Sequence, residues 1–96
     1  MDSHSGMTIF VQVAELRSFA AAGQRLGISA SAVSKGVARL EQKLGVRLFQ
    51  RSTRSVSLTA EGALFLDRSR RILSEIAAAE NELASTTASP QGRLRV

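Results

Sequence analysis

The sequence predicts a mainly α fold in which three short helices and a two-stranded β hairpin precede one long helix. Three observations carry this. Apolar residues recur at spacings of three and four from Met7 to Leu44, with glycines at 27 and 45 where the pattern stops. Between Leu48 and Leu58 the period shortens, and the polar run Ser52-Thr53-Arg54-Ser55 divides two extended pieces. From Ala60 to about Thr86 nothing interrupts a helix except an early Gly62.

At 96 residues, 44% of them hydrophobic, the chain has the material for one small packed domain with an appendage. It has no cysteine, which excludes disulfides, thiolate zinc sites and thiol catalysis. No run of ~18 apolar residues occurs, so no membrane span or secretory signal is expected, and a cytoplasmic location follows. Four phenylalanines are the only aromatic residues, too few for a single-strand binder that stacks bases on rings. The net charge of +5 is unevenly placed. Arg17 to Arg54 holds eight basic residues and one acid, Glu41, which makes that span +7. Such a field on a compact unit favours a polyanionic partner.

Residues 1–6 read as a loose lead-in. Met7, Phe10, Val11 and Ala14 then make a helical stripe, widened by Val13 and Leu16, whose role is to cover the helices that follow. Ser18 is placed to cap the second helix, where Phe19, Ala22, Gly23 and Leu26 face inward and small neighbours allow close approach. Gly27 stops it, Ile28 is free to plug the core, and Ser29 caps the third helix, a turn of helix-turn-helix length.

The third helix runs from about Ala30 to Leu44. Val33, Val37, Leu40 and Leu44 line its inner side, and Ser31, Ser34, Lys35, Ala38, Arg39 and Gln42 its outer side. A helix whose outer face carries hydroxyls first and positive charge later suits a DNA major groove. Gly36, inside it, is read as tolerated rather than as a crossing point. Behind it, Leu48 to Arg51 and Val56 to Leu58 form a wing. Arg54 at the tip can reach phosphate or the minor groove, and Arg51 at the base can meet phosphate or a nearby carboxylate.

Thr59 caps the long helix, with Glu61 in its first turn where the dipole favours an anion. Its length, about 40 Å at 1.5 Å per residue, exceeds what so small a domain needs for its own core. Phe65, Ser69, Ile72, Ile76, Ala79 and Leu83 alternate by four and three, a seam for self-association. Ser85 to Gly92 is a linker by composition, and Arg93 to Val96 begins a strand-like alternation, as at the N-terminal part of something longer.

Phe19, Ala21, Ala22 and Leu26, then SASAVS (29–34), LEQKLG (40–45), LFQR (48–51), Arg54 and LTAEG (58–62) resemble the N-terminal winged helix-turn-helix of LysR-type bacterial transcriptional regulators. The resemblance implies a DNA-binding domain over 1–58, a dimerisation helix over 59–87, and at 88–96 a hinge into an effector-binding domain. It assigns Ser31, Ser34 and Lys35 to base edges or phosphates, Ser29 to the cap that also meets backbone, and Arg51 and Arg54 to the wing contacts. Ala30, Ala38, Arg39 and Thr53 complete the candidate DNA-binding set, and Phe65, Ile72, Ile76, Ala79 and Leu83 the dimerisation set. Ala30 and Gly36 stand where many members carry a long polar residue, and Lys35 where arginine is frequent. Losing those amides removes a bidentate contact to adenine, and lysine lacks the arginine fork, so DNA shape carries more of the specificity.

The partners implied are double-stranded DNA at an interrupted inverted repeat in the bacterial nucleoid, and a second copy paired through the long helix. A small-molecule effector is expected only on a C-terminal domain outside this sequence. No catalytic residue, metal ligand or cofactor is expected: the only histidine is His4 in the lead-in, and no phosphate-binding glycine loop occurs. The alternative is an interaction module in which the fold serves only to dimerise, and the basic 17–54 span argues against it.

Overall fold

The computed structural model describes residues 5–51 and 56–88, with backbone alone at Arg51 and at 86–88. Four helices and one hairpin follow in order: α1 (Gly6–Leu16), α2 (Phe19–Leu26), α3 (Ala30–Leu44), β1 (Phe49–Arg51), β2 (Val56–Leu58) and α4 (Ala60–Ala88). The two strands are antiparallel, with Phe49 opposite Leu58, Gln50 opposite Ser57 and Arg51 opposite Val56. Residues 1–4, 52–55 and 89–96, where most of the expected lead-in, the expected wing turn and most of the expected hinge fall, lie outside the described residues.

Serine side chains start each of the first three helices. Ser5 accepts from the Thr8 N–H, Ser18 from Ala21 and Ser29 from Ala32, each satisfying a donor that the helix itself leaves open. Ser5 and Gly6, read above as lead-in, are therefore the cap and first residue of α1; a single serine ahead of glycine was too slight a signal. Gly27 ends α2 at φ 77°, a conformation that would strain most side chains, and its N–H returns to the Gly23 carbonyl. Thr59 starts α4 by accepting from the Gly62 N–H at 2.9 Å, while its hydroxyl donates to the Arg47 carbonyl at 2.6 Å.

α1 lies at the centre, packed against α2, α3 and α4. Phe10, Val13, Val33, Val37, Leu48 and Phe49 are closed to solvent, and Phe19, Leu26, Ile28, Leu40 and Phe65 pack around them. All four phenylalanines join one chain of ring contacts: Phe19 to Phe49 at 6.1 Å, Phe49 to Phe10 at 5.3 Å and Phe10 to Phe65 at 5.4 Å. Tilted and edge-on rings at these distances add to what burial alone contributes. Every ring is thus committed to the core.

Close backbone approach sets where the layers meet. A Cβ on Gly23 would stand 2.6 Å from the Ile28 carbonyl oxygen, so a side chain there would spread the turn between α2 and α3. A Cβ on Gly36 would stand 2.8 Å from Cδ1 of the buried Ile9. The neighbour there is the tip of the Ile9 side chain, so α3 meets α1 beside Gly36 through side-chain packing. At Gly62 the first turn of α4 meets the Leu48 carbonyl so tightly that a Cβ would fall 2.0 Å from its oxygen.

Two side chains depart from their expected faces. Leu44 is 40% exposed rather than inward, because the last turn of α3 runs past the core and lies beside Val46 and Leu64 at the surface. Phe65, counted above in the seam of α4, is turned into the chain's own core against Phe10. Leu66 and Leu73 follow it there.

Candidate nucleic-acid interface

The outer face of α3 begins at Ser29, whose hydroxyl oxygen is held by the Ala32 N–H at 3.0 Å. That bond fixes the cap and leaves the hydroxyl proton to donate outward. Along the helix, Ala30, Ser31, Ser34, Lys35, Ala38 and Arg39 are all exposed, as is Gln42. Val33 and Val37 on the opposite side are fully buried, so packing against α1 and α2 sets the rotation of the helix about its axis. The exposed surface is convex and low near its start: alanines and serines let a partner approach the backbone, and hydroxyls can both donate and accept. Positive charge follows one turn later.

The predicted residues do not all share one strip. At ~100° per residue, Arg39 is turned well away from Ala38. It borders a groove with Lys35 and Lys43 on the flank that faces the start of α1. Arg51 closes β1 opposite Val56, while Thr53 and Arg54 lie outside the described residues. Among the dimerisation set, Ile72 is 43% and Leu83 69% exposed, Ala79 is exposed and Ile76 half-buried. Phe65 packs against the core and is only partly exposed.

One residue that organises this surface was not picked out from the sequence. Glu41 is only 8% exposed, and one carboxylate oxygen accepts from the Leu48 N–H at 2.8 Å and from the Phe49 N–H at 3.2 Å. α3 therefore holds the start of the wing strand directly. Its legible signal was being the sole acid in a basic span, which was read as a matter of charge and not of position.

Among the described residues no group of three His, Cys, Asp or Glu side chains could hold a metal ion. None of their helices is long and apolar enough to cross a membrane.

Residues 5–63 match the family model described as bacterial regulatory helix-turn-helix protein, lysR family. The HTH-type transcriptional regulator CrgA of Neisseria meningitidis serogroup C (strain 8013) is 53% identical over 90 residues, covering 94% of this chain and 30% of the relative. This chain thus spans about a third of the length of the curated relatives it matches. Among solved structures, the complex of the BenM DNA-binding domain with catB site 1 DNA superposes with a TM-score of 0.82 at 30% identity, covering 93% of this chain and 97% of that one. The complex of the CbnR DNA-binding domain with DNA gives 0.76 at 38% identity, covering 92% and 99%. CrgA is a transcriptional regulator by name. With three helices, a wing and a capped, exposed recognition helix matched by both the family model and the DNA-complex structures, the chain belongs to the LysR family of bacterial regulators and is a winged helix-turn-helix DNA-binding domain of that family.

Proposed function

We propose that this domain reads double-stranded DNA as a homodimer, with one α3 in the major groove of each half of an interrupted inverted repeat. The observation that carries this is the α3 surface itself. Ser31, Ser34 and Ala38 leave it low enough to enter the groove, and Lys35 stands at its edge. Ser31, Ser34 and Lys35 meet base edges or the adjoining phosphates, while Arg51, Thr53 and Arg54 bring the wing to the backbone or minor groove. Dimerisation runs through the exposed part of α4, from Ile72 to Leu83. Half-sites one helical turn or a multiple apart would match two recognition helices related by a two-fold axis. The protein acts in the cytoplasm, on the nucleoid, and a small-molecule effector acts through a part of the whole protein beyond this domain.

Selection from a random duplex pool, followed by binding against salt, tests the reading. A two-fold-symmetric motif and a log–log salt slope of about −0.9 per phosphate neutralised are expected. Arg54→Ala should weaken every sequence alike and lower that slope by about one contact, whereas Ser34→Ala or Lys35→Ala should change the preference among related sites. Equal losses on all sequences for all three variants would overturn the base-reading role of α3.

A further inference from the structure

The first three helices end in the same way. Arg17, Gly27 and Gly45 each return an N–H to the carbonyl four residues back, at 2.7, 2.8 and 2.8 Å. Each takes the left-handed backbone conformation, with φ of 55°, 77° and 76°. Glycine adopts it freely, whereas a Cβ is strained there against the neighbouring carbonyl oxygen. Among the described residues Arg17 is the one residue other than glycine with positive φ. A cation does suit the negative end of a helix. Yet α2 and α3 place theirs, Arg25 and Lys43, inside the last turn and leave the left-handed position to glycine. An outlier kept in spite of its strain points to a task for the side chain.

The surroundings of Arg17 narrow that task. It borders a cleft of about 410 Å³ between the end of α1, strand β2 and α4, with Ala14, Leu58 and Leu66 in the lining. Glu15 and Arg70 line it too and bind each other at 3.2 Å, so their charges cancel. Arg17 is exposed, and among the described residues its side chain has no ion pair or hydrogen bond. Its cation is therefore the uncompensated charge of the cleft. Ser18, the next residue, caps α2, and the first helix of a helix-turn-helix crosses the DNA backbone beside the groove that the second one reads. Val56 and Ser57, also in the lining, open the strand that follows the expected wing turn. Arg17 thus stands between the start of α2 and the wing strand, where a backbone running from the major groove to the wing brings its phosphates. We propose that Arg17 is a phosphate-binding residue that holds the DNA backbone there and so fixes the register of α3 in the groove. This rests on the duplex-reading function above and adds a contact outside both the recognition helix and the wing tip.

Replacing Arg17 by glycine separates this role from a structural one, because the two call for opposite changes in stability. Arg17→Gly relieves the strain and should raise the melting midpoint by about 4 °C. The same variant should bind duplex DNA about eightfold more weakly at 0.1 M salt, with a log–log salt slope shallower by about 0.9, the share of one phosphate. The loss should be alike on selected and random sequences, since a phosphate contact reads no base. Arg17→Lys keeps the charge and should keep the slope while melting no higher than wild type. In ethylation interference, one backbone phosphate in each half-site should impede the wild type and leave Arg17→Gly unaffected. If Arg17→Gly binds with wild-type affinity and slope, or melts below wild type, the phosphate role is overturned while DNA reading by α3 stands. A wild-type chain that binds no duplex even at low salt would overturn the duplex reading itself, and the proposal with it.

Discussion

Replacing Glu41 isolates the tie between recognition helix and wing. The two N–H groups it accepts from belong to Leu48 and Phe49, which are 0% and 1% exposed and so shielded from solvent. β1 pairs only with β2, which leaves these donors no second strand to turn to. A buried donor without a partner costs about 1–3 kcal/mol, so Glu41→Ala, which strands two, should cost about 4 kcal/mol. Glu41→Gln keeps an acceptor oxygen for these two donors and gives up the charge assistance of their bonds, about 1 kcal/mol. In a domain of this size each kcal/mol moves the melting midpoint by about 4–8 °C, so the two variants should melt about 24 °C and about 6 °C below wild type. Thermal unfolding followed by circular dichroism at constant pH reads both. An exposed acid on α4, Glu75→Ala, serves as the control and should stay within about 0.5 kcal/mol. If Glu41→Ala melts no lower than Glu41→Gln, the carboxylate is not holding those two N–H groups and the tie is refuted.

Two further substitutions probe the packing that sets the interface. Gly62→Ala places a methyl where only 2.0 Å separates it from the Leu48 carbonyl oxygen, and that backbone is also fixed by the Thr59 N–H at 3.0 Å. Overpacking against immobile backbone should cost about 3 kcal/mol or more, seen as a drop in the urea midpoint at unchanged slope. Glu15→Ala removes the 3.2 Å ion pair to Arg70 that links α1 to α4, yet both side chains are about half exposed. Its loss should change stability by less than about 0.5 kcal/mol in the same measurement, and a larger effect would mean that the pair is more than a surface contact.

The local rules were readable residue by residue. Serines at 18 and 29 and glycines at 27 and 45 place the ends of α2 and α3 because capping and positive φ depend on atoms within one turn. The same holds for the outward set on α3, whose exposure follows from its being opposite Val33 and Val37. The family was legible too, through motifs spread along one domain.

What depended on distance along the chain was not legible. Glu41 sits at the border between the inner and outer faces of α3, and only the return of residues 48 and 49 beneath it makes it buried. Phe65 fits a seam by spacing, but the gap beside Phe10 takes it into the core, and so the free part of α4 begins nearer Ile72. Gly36 and Gly62 look alike in sequence, each a weak point in a helix; Ile9 beside one and the Leu48 carbonyl beside the other give them their reasons. Helix ends and faces are settled by neighbours within four residues, so the sequence alone determined them. The partners of a carboxylate, a ring or a missing Cβ come from elsewhere in the chain, and only the tertiary structure decides which atoms those are.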